Sequence, residues 1–534
     1  MRTRCGFLYA QWKSVVGGNQ CCPWRCRNRS DGGTDPISPH GEYSIGSYPG
    51  CIWFPGSTGW TIRHKHGSGF GVVMMNEFDL VIHGGLLVSD SGSQKADLGI
   101  KDGKIAVVGL NLSGKEELDA SGLLVIPGGV DPHVHLNMPT ATTRTSEDWF
   151  SGTLAAAHGG TTTVLDFVEP LPDQSLQEAL RDRQAEADGR AWLDYGLHMT
   201  IADAKLIPQI ESLVAEGVSS FKVYTTYGDM QLNDYEIVAV LEAVRAIHGI
   251  VMVHAENDAV VRHATQTLVN EGKLEPRWHP HSRPALAEVE AVQRMIYLAR
   301  VSGTNLYLVH LSTGGAVKAA GKALRDGQNL VAETCPQYLL LNRERYQDEN
   351  PEVAAGFVCS PPLRNPNDQQ AIWHALRQRT VLSIGSDHCA FTIDPQKKAA
   401  LSDFRTIPGG IPGIELRYPM LYHFGVRSGM LSPEQWVALC STNPAKAFGI
   451  WPQKGSLLVG ADADLVLFDP NKEFSVTAEH LHEKVDYTPY EGFALRGFPV
   501  MTFIKGRKLI ENGEVLMDKP TGNYLKCGTP VIPA

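Results

Sequence analysis

Two histidines one residue apart, His133 and His135 in the stretch IPGGVDPHVHLNM, have the spacing with which a β-strand presents two imidazoles on one side. Alternate strand residues point the same way, so both rings can chelate one ion while Val134 packs in the other direction. Four more residues of metal-binding or proton-transferring type end apolar runs: Lys222 in SSFKVYTT, His254 in IVMVHAE, His310 in NLYLVHLS and Asp387 in TVLSIGSDH. Taken singly, each has an ordinary explanation. A strand-ending histidine is a hydrogen-bonded core residue, Lys222 is a stem reaching for water, and Asp387 is a helix cap. Convergence of all six on one place would leave several buried polar groups without partners, at about 1–3 kcal/mol each. A metal supplies the missing partner. Imidazole and carboxylate ligands suit zinc, with manganese or iron as alternatives. Lys222 has an ordinary pKa of about 10.4, and burial beside metal favours its neutral amine, a nucleophile toward carbon dioxide. The resulting carbamate carries two oxygens and could bridge two ions.

The elements that would bring these residues together are legible as repeated βα units. Eight strand candidates run from LLVIPGGVDPHVHL through TTTVLDFV, DYGLHMTIA, SSFKVYTT, IVMVHAE, NLYLVHLS and NLVAETC to TVLSIGSDH. Most are separated by helix-period segments such as SLQEALRDRQAEA, DYEIVAVLEAVRAI and LAEVEAVQRMIYLARVS. Eight parallel strands with intervening helices predict a closed (β/α)₈ barrel, in which the C-terminal strand ends form the catalytic mouth. All six residues fall at such ends. An open doubly wound sheet is the alternative, but no G-x-G-x-x-G turn follows the first strand. Gly128 and Gly129 read as room for backbone beside the site. Short strands with turn signals on both sides of this region, FDLVIHGGLLV and ADLGIKDGKIAVVG before it and GSLLVGADADLVLFDP and FPVMTFIKGRKLIENGEVL after it, predict one small β-sandwich domain assembled from both ends of the chain. The expected division is 76–126 and 453–518 for the β-sandwich, 127–452 for the barrel and 519–534 for a C-terminal tail.

A chain of 534 residues accommodates a barrel plus a smaller domain. Hydrophobic residues at 43% and charged residues at 20% are ordinary for a globular protein. A net charge of -10 argues against a nucleic-acid or anionic-membrane binder, which needs a basic face. No run of eighteen uncharged apolar residues is present, so no membrane span is expected. The ten cysteines lack the regular spacing of a disulfide framework and fit a reduced, cytoplasmic setting. CCPWRC has the look of half a metal knuckle, but no second Cys/His pair follows at the usual spacing. Residues 1–73 show no helix or strand period and read as a poorly structured leader, a transit peptide, or sequence upstream of a start at Met74 or Met75.

As a set, GGVDPHVHLNM, SSFKVYTTY, VHAEN, LVHLS, CSPPLR and IGSDH resemble the motifs of the cyclic amidohydrolases, specifically the dihydropyrimidinase and hydantoinase branch. STNPAKAFGI followed by KGSLLVGADADLVLFD is similar to the superfamily's closing segment, so the resemblance covers the chain from about Asn76 onward. It implies a hydrolase opening the ring of dihydropyrimidines or hydantoins, with a small-molecule cyclic amide or ureide as substrate and a homotetramer or homodimer as assembly. It also implies two divalent ions, most simply zinc. His133, His135, Asp387 and Lys222 as N6-carboxylysine would hold the first, and Lys222, His254 and His310 the second. Tyr227, five residues after the lysine, would donate to the oxyanion, Asp387 would carry the proton, and Ser360 in CSPPLR would contact the ring. One departure stands out: where hydantoinases commonly carry Pro-Asn-Gly, with the Asn on the ring imide, IPGGIPG places Gly409. Allantoinase and dihydroorotase share the ligand set and are the rival activities, although the Lys-to-Tyr spacing favours the hydantoinase branch. Non-catalytic scaffold relatives have lost ligands, and all six positions are intact here.

Overall fold

The computed structural model describes residues 51–56, 59–66, 69–74, 78–140 and 142–533, with side chains from residue 78 onward. It comprises two units, Met1–Met75 and Asn76–Ala534. In the first, Cys51–Gly56, Gly59–His66 and Gly69–Met74 pair as an antiparallel meander, with Cys51 opposite His64 and Ile62 opposite Val73. Antiparallel ladders are made by the backbone, and Gly, Lys and His interrupt the apolar alternation here, so no strand period shows in the sequence. CCPWRC lies outside the described residues.

The second unit is organised around eight parallel strands hydrogen-bonded in chain order: β1 (Gly129–Val134), β2 (Thr161–Val168), β3 (Asp194–Thr200), β4 (Ser220–Tyr224), β5 (Ile250–His254), β6 (Asn305–Leu308), β7 (Leu330–Thr334) and β8 (Ser383–Ile384). The barrel closes just beyond the ends of β1 and β8. There the His135 N–H donates to the His388 carbonyl (2.9 Å) and the Asp387 N–H donates to the His133 carbonyl (3.0 Å). Closure thus fixes the backbone of His133, His135 and Asp387 to one another before any side chain acts. The helices between strands start where the sequence provides caps: Asp148 for Trp149–His158, Ser175 for Leu176–Ala187 and Asn233 for Asp234–Ala246, each in a reciprocal capping box. After β3 the connection is instead a 3₁₀ segment, Ala204–Leu213, with Pro208 inside it. The barrel interior below the mouth is filled by Val130, Leu165, Ile250, Met252, Tyr307 and Val331. Phe448 of the STNPAKAFGI segment packs into the same cluster.

A four-stranded sheet containing Phe78–His83 and Asp97–Lys101 faces a seven-stranded sheet, and Leu80, Ile82, Leu98 and Ile100 meet Leu87, Val125, Leu465, Leu467 and Phe503 between them. The larger sheet joins both ends of the chain: Leu124–Pro127 pairs antiparallel with Leu465–Ser475. This is the expected β-sandwich from two segments. Gly128 is the hinge residue from sandwich to barrel, and a Cβ there would sit 2.0 Å from Thr162 Oγ1. Its role, and that of Gly129 against Gly160 and Arg417, is therefore close packing at the start of β1, at the far end of that strand from the histidines. The tail pairs with the barrel: the Tyr195 N–H donates to the Asn523 carbonyl (3.0 Å) and the Leu525 N–H to the Tyr195 carbonyl (2.7 Å). Among the described residues no helix is long and apolar enough to cross a membrane.

Candidate metal centre

β1 delivers His133 and His135 with the alternation its period requires, and both Nε2 atoms face Asp387 Oδ1, at 3.3 and 3.4 Å. One donor atom from each of these three residues lies within 4.8 Å of the other two, a ligand group ready for a metal ion. The rings continue around the mouth: His133 to His310 is 5.5 Å between centroids and His310 to His254 is 4.6 Å. His254 Nδ1 and His310 Nε2 face each other at 2.9 Å. Lys222, at the middle of β4 and 1% exposed, points its Nζ into the same space, 4.9 Å from the Phe167 ring centroid. The structure thus brings together all six residues expected at the mouth. They open into a cavity of about 850 Å³ that is also lined by Tyr227, Ser360 and Gly409.

The protonation states suit metal ligation. Burial holds the His133 and His310 imidazoles well below their usual range, and burial outweighs Glu256 to lower His254. These rings are neutral and keep a lone pair. For Asp387 burial acts to raise the pKa, but His133 and His135 outweigh it and the carboxylate is held ionised below its usual range. Burial lowers the Lys222 ammonium to about 8, against the pull of Asp387, Glu333 and Glu169, so its neutral amine is within reach near neutral pH.

Two buried carboxylates set the ring orientations. Glu333 on β7 accepts from His133 Nδ1 (2.9 Å), the His310 backbone N–H (2.9 Å) and the Tyr307 hydroxyl (2.8 Å). Glu256, two residues past His254, accepts from His254 Nε2 at 2.7 Å and pairs with Arg283. Glu333 leaves His133 Nε2 facing Asp387, and Glu256 leaves His254 Nδ1 facing His310 Nε2, the usual carboxylate support of a ligating histidine. His135 Nδ1, by contrast, is buried without a partner. The donor set fits a pair of divalent ions: four imidazoles, three of them held neutral by burial, an ionised carboxylate and a desolvated lysine.

Three positions here take left-handed backbone that non-glycine residues avoid: Tyr227 (φ 78°), His310 (φ 40°) and Asp387 (φ 51°). Such strain is kept where surrounding structure over-determines it, and it clusters at functional sites. At Tyr227 the turn brings the ring to 4.8 Å from His254 between centroids, with the Arg283 guanidinium carbon 4.8 Å from the Tyr227 ring centroid. Burial pushes the Tyr227 hydroxyl up to about 12 despite Arg283 and a hydrogen bond with Ser360, so it stays protonated and can donate. A Cβ at Gly409 would meet nothing within 4 Å, so this position contributes open space to the cavity.

The model of the amidohydrolase family matches residues 124–509, spanning the barrel and the returning sandwich strands. The chain belongs to the amidohydrolase family. Within that family it is 40% identical over 452 residues to a D-hydantoinase of Geobacillus stearothermophilus, covering 84% of this chain and 96% of that protein. The crystal structure of a dihydropyrimidinase from Brevibacillus agri superposes with a TM-score of 0.83 at 38% identity, over 85% of this chain and 99% of that one. An L-hydantoinase (dihydropyrimidinase) from Arthrobacter aurescens shares the architecture at 28% identity and a TM-score of 0.78, covering 84% and 99%. Glu333 and Arg283 were not reached from the sequence, because a lone glutamate in NLVAETC and an arginine in HSRP carry no spacing signal. Glu256 sits in the quoted VHAEN, where only the histidine drew notice.

Proposed function

We propose that this chain hydrolyses the cyclic amide or ureide ring of dihydropyrimidines or hydantoins, giving N-carbamoyl amino acids. The observation that carries this reading is the single mouth at which His133, His135 and Asp387 stand beside His254, His310 and Lys222, with the Tyr227 hydroxyl above them. In it, His133, His135, Asp387 and carboxylated Lys222 would hold one divalent ion, and Lys222, His254 and His310 would hold a second, zinc in both cases. Two such ions supply a hydroxide equivalent at neutral pH by lowering the pKa of water to about 7.

The protein's own groups do the rest. Tyr227, kept protonated, donates to the oxygen that gains charge as the ring carbonyl is attacked. Asp387, ionised, takes the proton from the attacking water and returns it to the departing ring nitrogen, so the C–N bond breaks without expelling an amide anion. Ser360 lies beside Tyr227 and contacts the ring, and Gly409 leaves space where a side chain would otherwise narrow the cavity. Metal analysis combined with a spectrophotometric ring-opening assay on dihydrouracil, hydantoin, allantoin and dihydroorotate tests the reading. The expected result is two ions per chain at the mouth and turnover of the first two compounds. Turnover confined to allantoin or dihydroorotate, or none with full metal occupancy, would overturn it.

A further inference from the structure

A second cluster of ligand-type side chains lies outside the cavity. His158 is the last residue of Trp149–His158, the helix that returns from β1 toward the start of β2. Glu415 lies on the segment after β8, and its backbone packs against Gly159, where a Cβ would come within 2.1 Å of the Glu415 carbonyl oxygen. His482 comes from the returning C-terminal segment. One donor atom of each lies within 4.8 Å of the other two, and none of the three lines the cavity at the mouth.

The arrangement is unfinished as it stands. His158 is 4% exposed, yet its Nε2 is buried with no hydrogen-bond partner. Its ring lies face to face with that of His482, 3.3 Å between centroids and 6° between planes. Two cationic rings would repel in that stack, and His158 is the neutral one: burial, then the charge of His482, lowers it to about 3. Glu415, 1% exposed, accepts from His482 Nδ1 at 2.9 Å and from the His482 backbone N–H at 2.7 Å. The neighbouring Glu483 is also buried and leaves Oε2 unsatisfied. A buried lone pair, a buried carboxylate and a second imidazole open to solvent at its edge form a set in which a metal ion would displace the proton that Glu415 helps His482 to hold.

We infer that His158, Glu415 and His482 form a separate binding site for a divalent transition-metal ion such as zinc. Two imidazoles and one carboxylate give a three-ligand site with a position open to water, within the usual zinc repertoire. The lone pairs of stacked rings run parallel and do not converge, so His482, with a side chain 40% exposed, is the ligand that tilts out of the stack to close on the ion. An ion held there ties the helix after β1, the segment after β8 and the C-terminal return together, and so acts on stability rather than chemistry.

The test is metal analysis on the full-length protein equilibrated with zinc and freed of excess. The expected result is three ions per chain, falling to two in His482→Ala with turnover unchanged, and likewise in His158→Gln. A chelated protein given back zinc should show a rise in Tm that His482→Ala lacks in part. A double variant, His133→Asn with His135→Asn, separates this site from the mouth: it should lose ions there while keeping the one that His482→Ala removes. Two ions per chain in the unaltered protein, or a third that survives both His482→Ala and His158→Gln, would overturn the inference.

Discussion

The same barrel buries a lysine near each end, and the two are in opposite states. Lys454, 1% exposed, is held by Asp194 at the first residue of β3 (2.6 Å), by Asp464 (2.7 Å) and by Asp462 (3.0 Å), while Lys505 shares Asp194 at 2.8 Å. Burial alone would neutralise Lys454, but these carboxylates outweigh it and raise its pKa above the usual range. Lys222, also 1% exposed, has an aromatic ring beside it and neutral imidazoles around it, and burial prevails, lowering it to about 8. The difference lies in what surrounds the ammonium, since depth is the same. At the base, charge is paired and serves the fold. At the mouth, burial favours the neutral amine, which is the form that the proposed carbamate and metal pair would require.

Replacing each lysine breaks this comparison in a different observable. Lys222→Ala should remove most bound metal and lower turnover by roughly 10³-fold or more, since several kcal/mol of charge stabilisation go with the metal. Short carboxylic acids added in solution should restore part of both, because they can occupy the place of the carbamate. Two ions still held at the mouth in that variant would rule out a bridging carbamate. Lys454→Ala should leave metal content alone and lower stability by about 3–5 kcal/mol, because buried Asp464 loses its lysine while Asp194 and Asp462 each lose one of two. Denaturant unfolding checks it, and a loss below 1 kcal/mol would mean that the base network is not structural.

The two ends also differ in how far they could be read from the sequence. At the mouth, strand period and chain order sufficed: β2 occupies the whole of TTTVLDFV, and every expected ligand but Lys222, in the middle of β4, falls near or just past the end of its strand. The base network is formed by residues 260 positions apart in the chain, Asp194 and Lys454, and nothing local in DYGLHMTIA or WPQKGSLL announces that contact. The supports of the mouth were hidden for a similar reason. Glu333 reads as an ordinary polar residue within a strand until His133, 200 positions away, is placed against it. The tail is likewise set by backbone pairing with Tyr195 and by the Asn523 N–H donating to the Asp194 carboxylate, which leaves no apolar period.

Smaller changes at the mouth sharpen the contrast between groups that react and groups that hold. Tyr227→Phe should lower turnover by roughly 10²–10³-fold with metal retained, the usual cost of one oxyanion donor. An unchanged rate would remove the hydroxyl from that role. Glu333→Gln should weaken metal binding by about 10- to 100-fold. Its amide keeps the shape but turns a donor toward His133 Nδ1, the His310 N–H or the Tyr307 hydroxyl, all of which need an acceptor. Metal titration against a chelator measures it, and an unchanged affinity would show that His133 is oriented by packing alone.

The smallest effect belongs to the base and depends on pH. Asp462 is buried, which alone would raise it, but Lys454 and Lys104 outweigh this and lower it to about 2, and the same lysine with Lys505 lowers Asp194. A carboxyl whose folded pKa is depressed contributes stability above its unfolded value, about 3.9, and that contribution is lost as pH falls through the folded one. Asp464 runs the other way, because burial outweighs Lys454 and raises it. The net expectation is a decline in unfolding free energy between about pH 4 and pH 2, carried by Asp462 and Asp194. Lys454→Met should flatten that part of the profile while lowering the curve as a whole. An identical slope in both proteins over that window would place the acid sensitivity elsewhere, and the base would then be held by packing and hydrogen bonds without help from its charges.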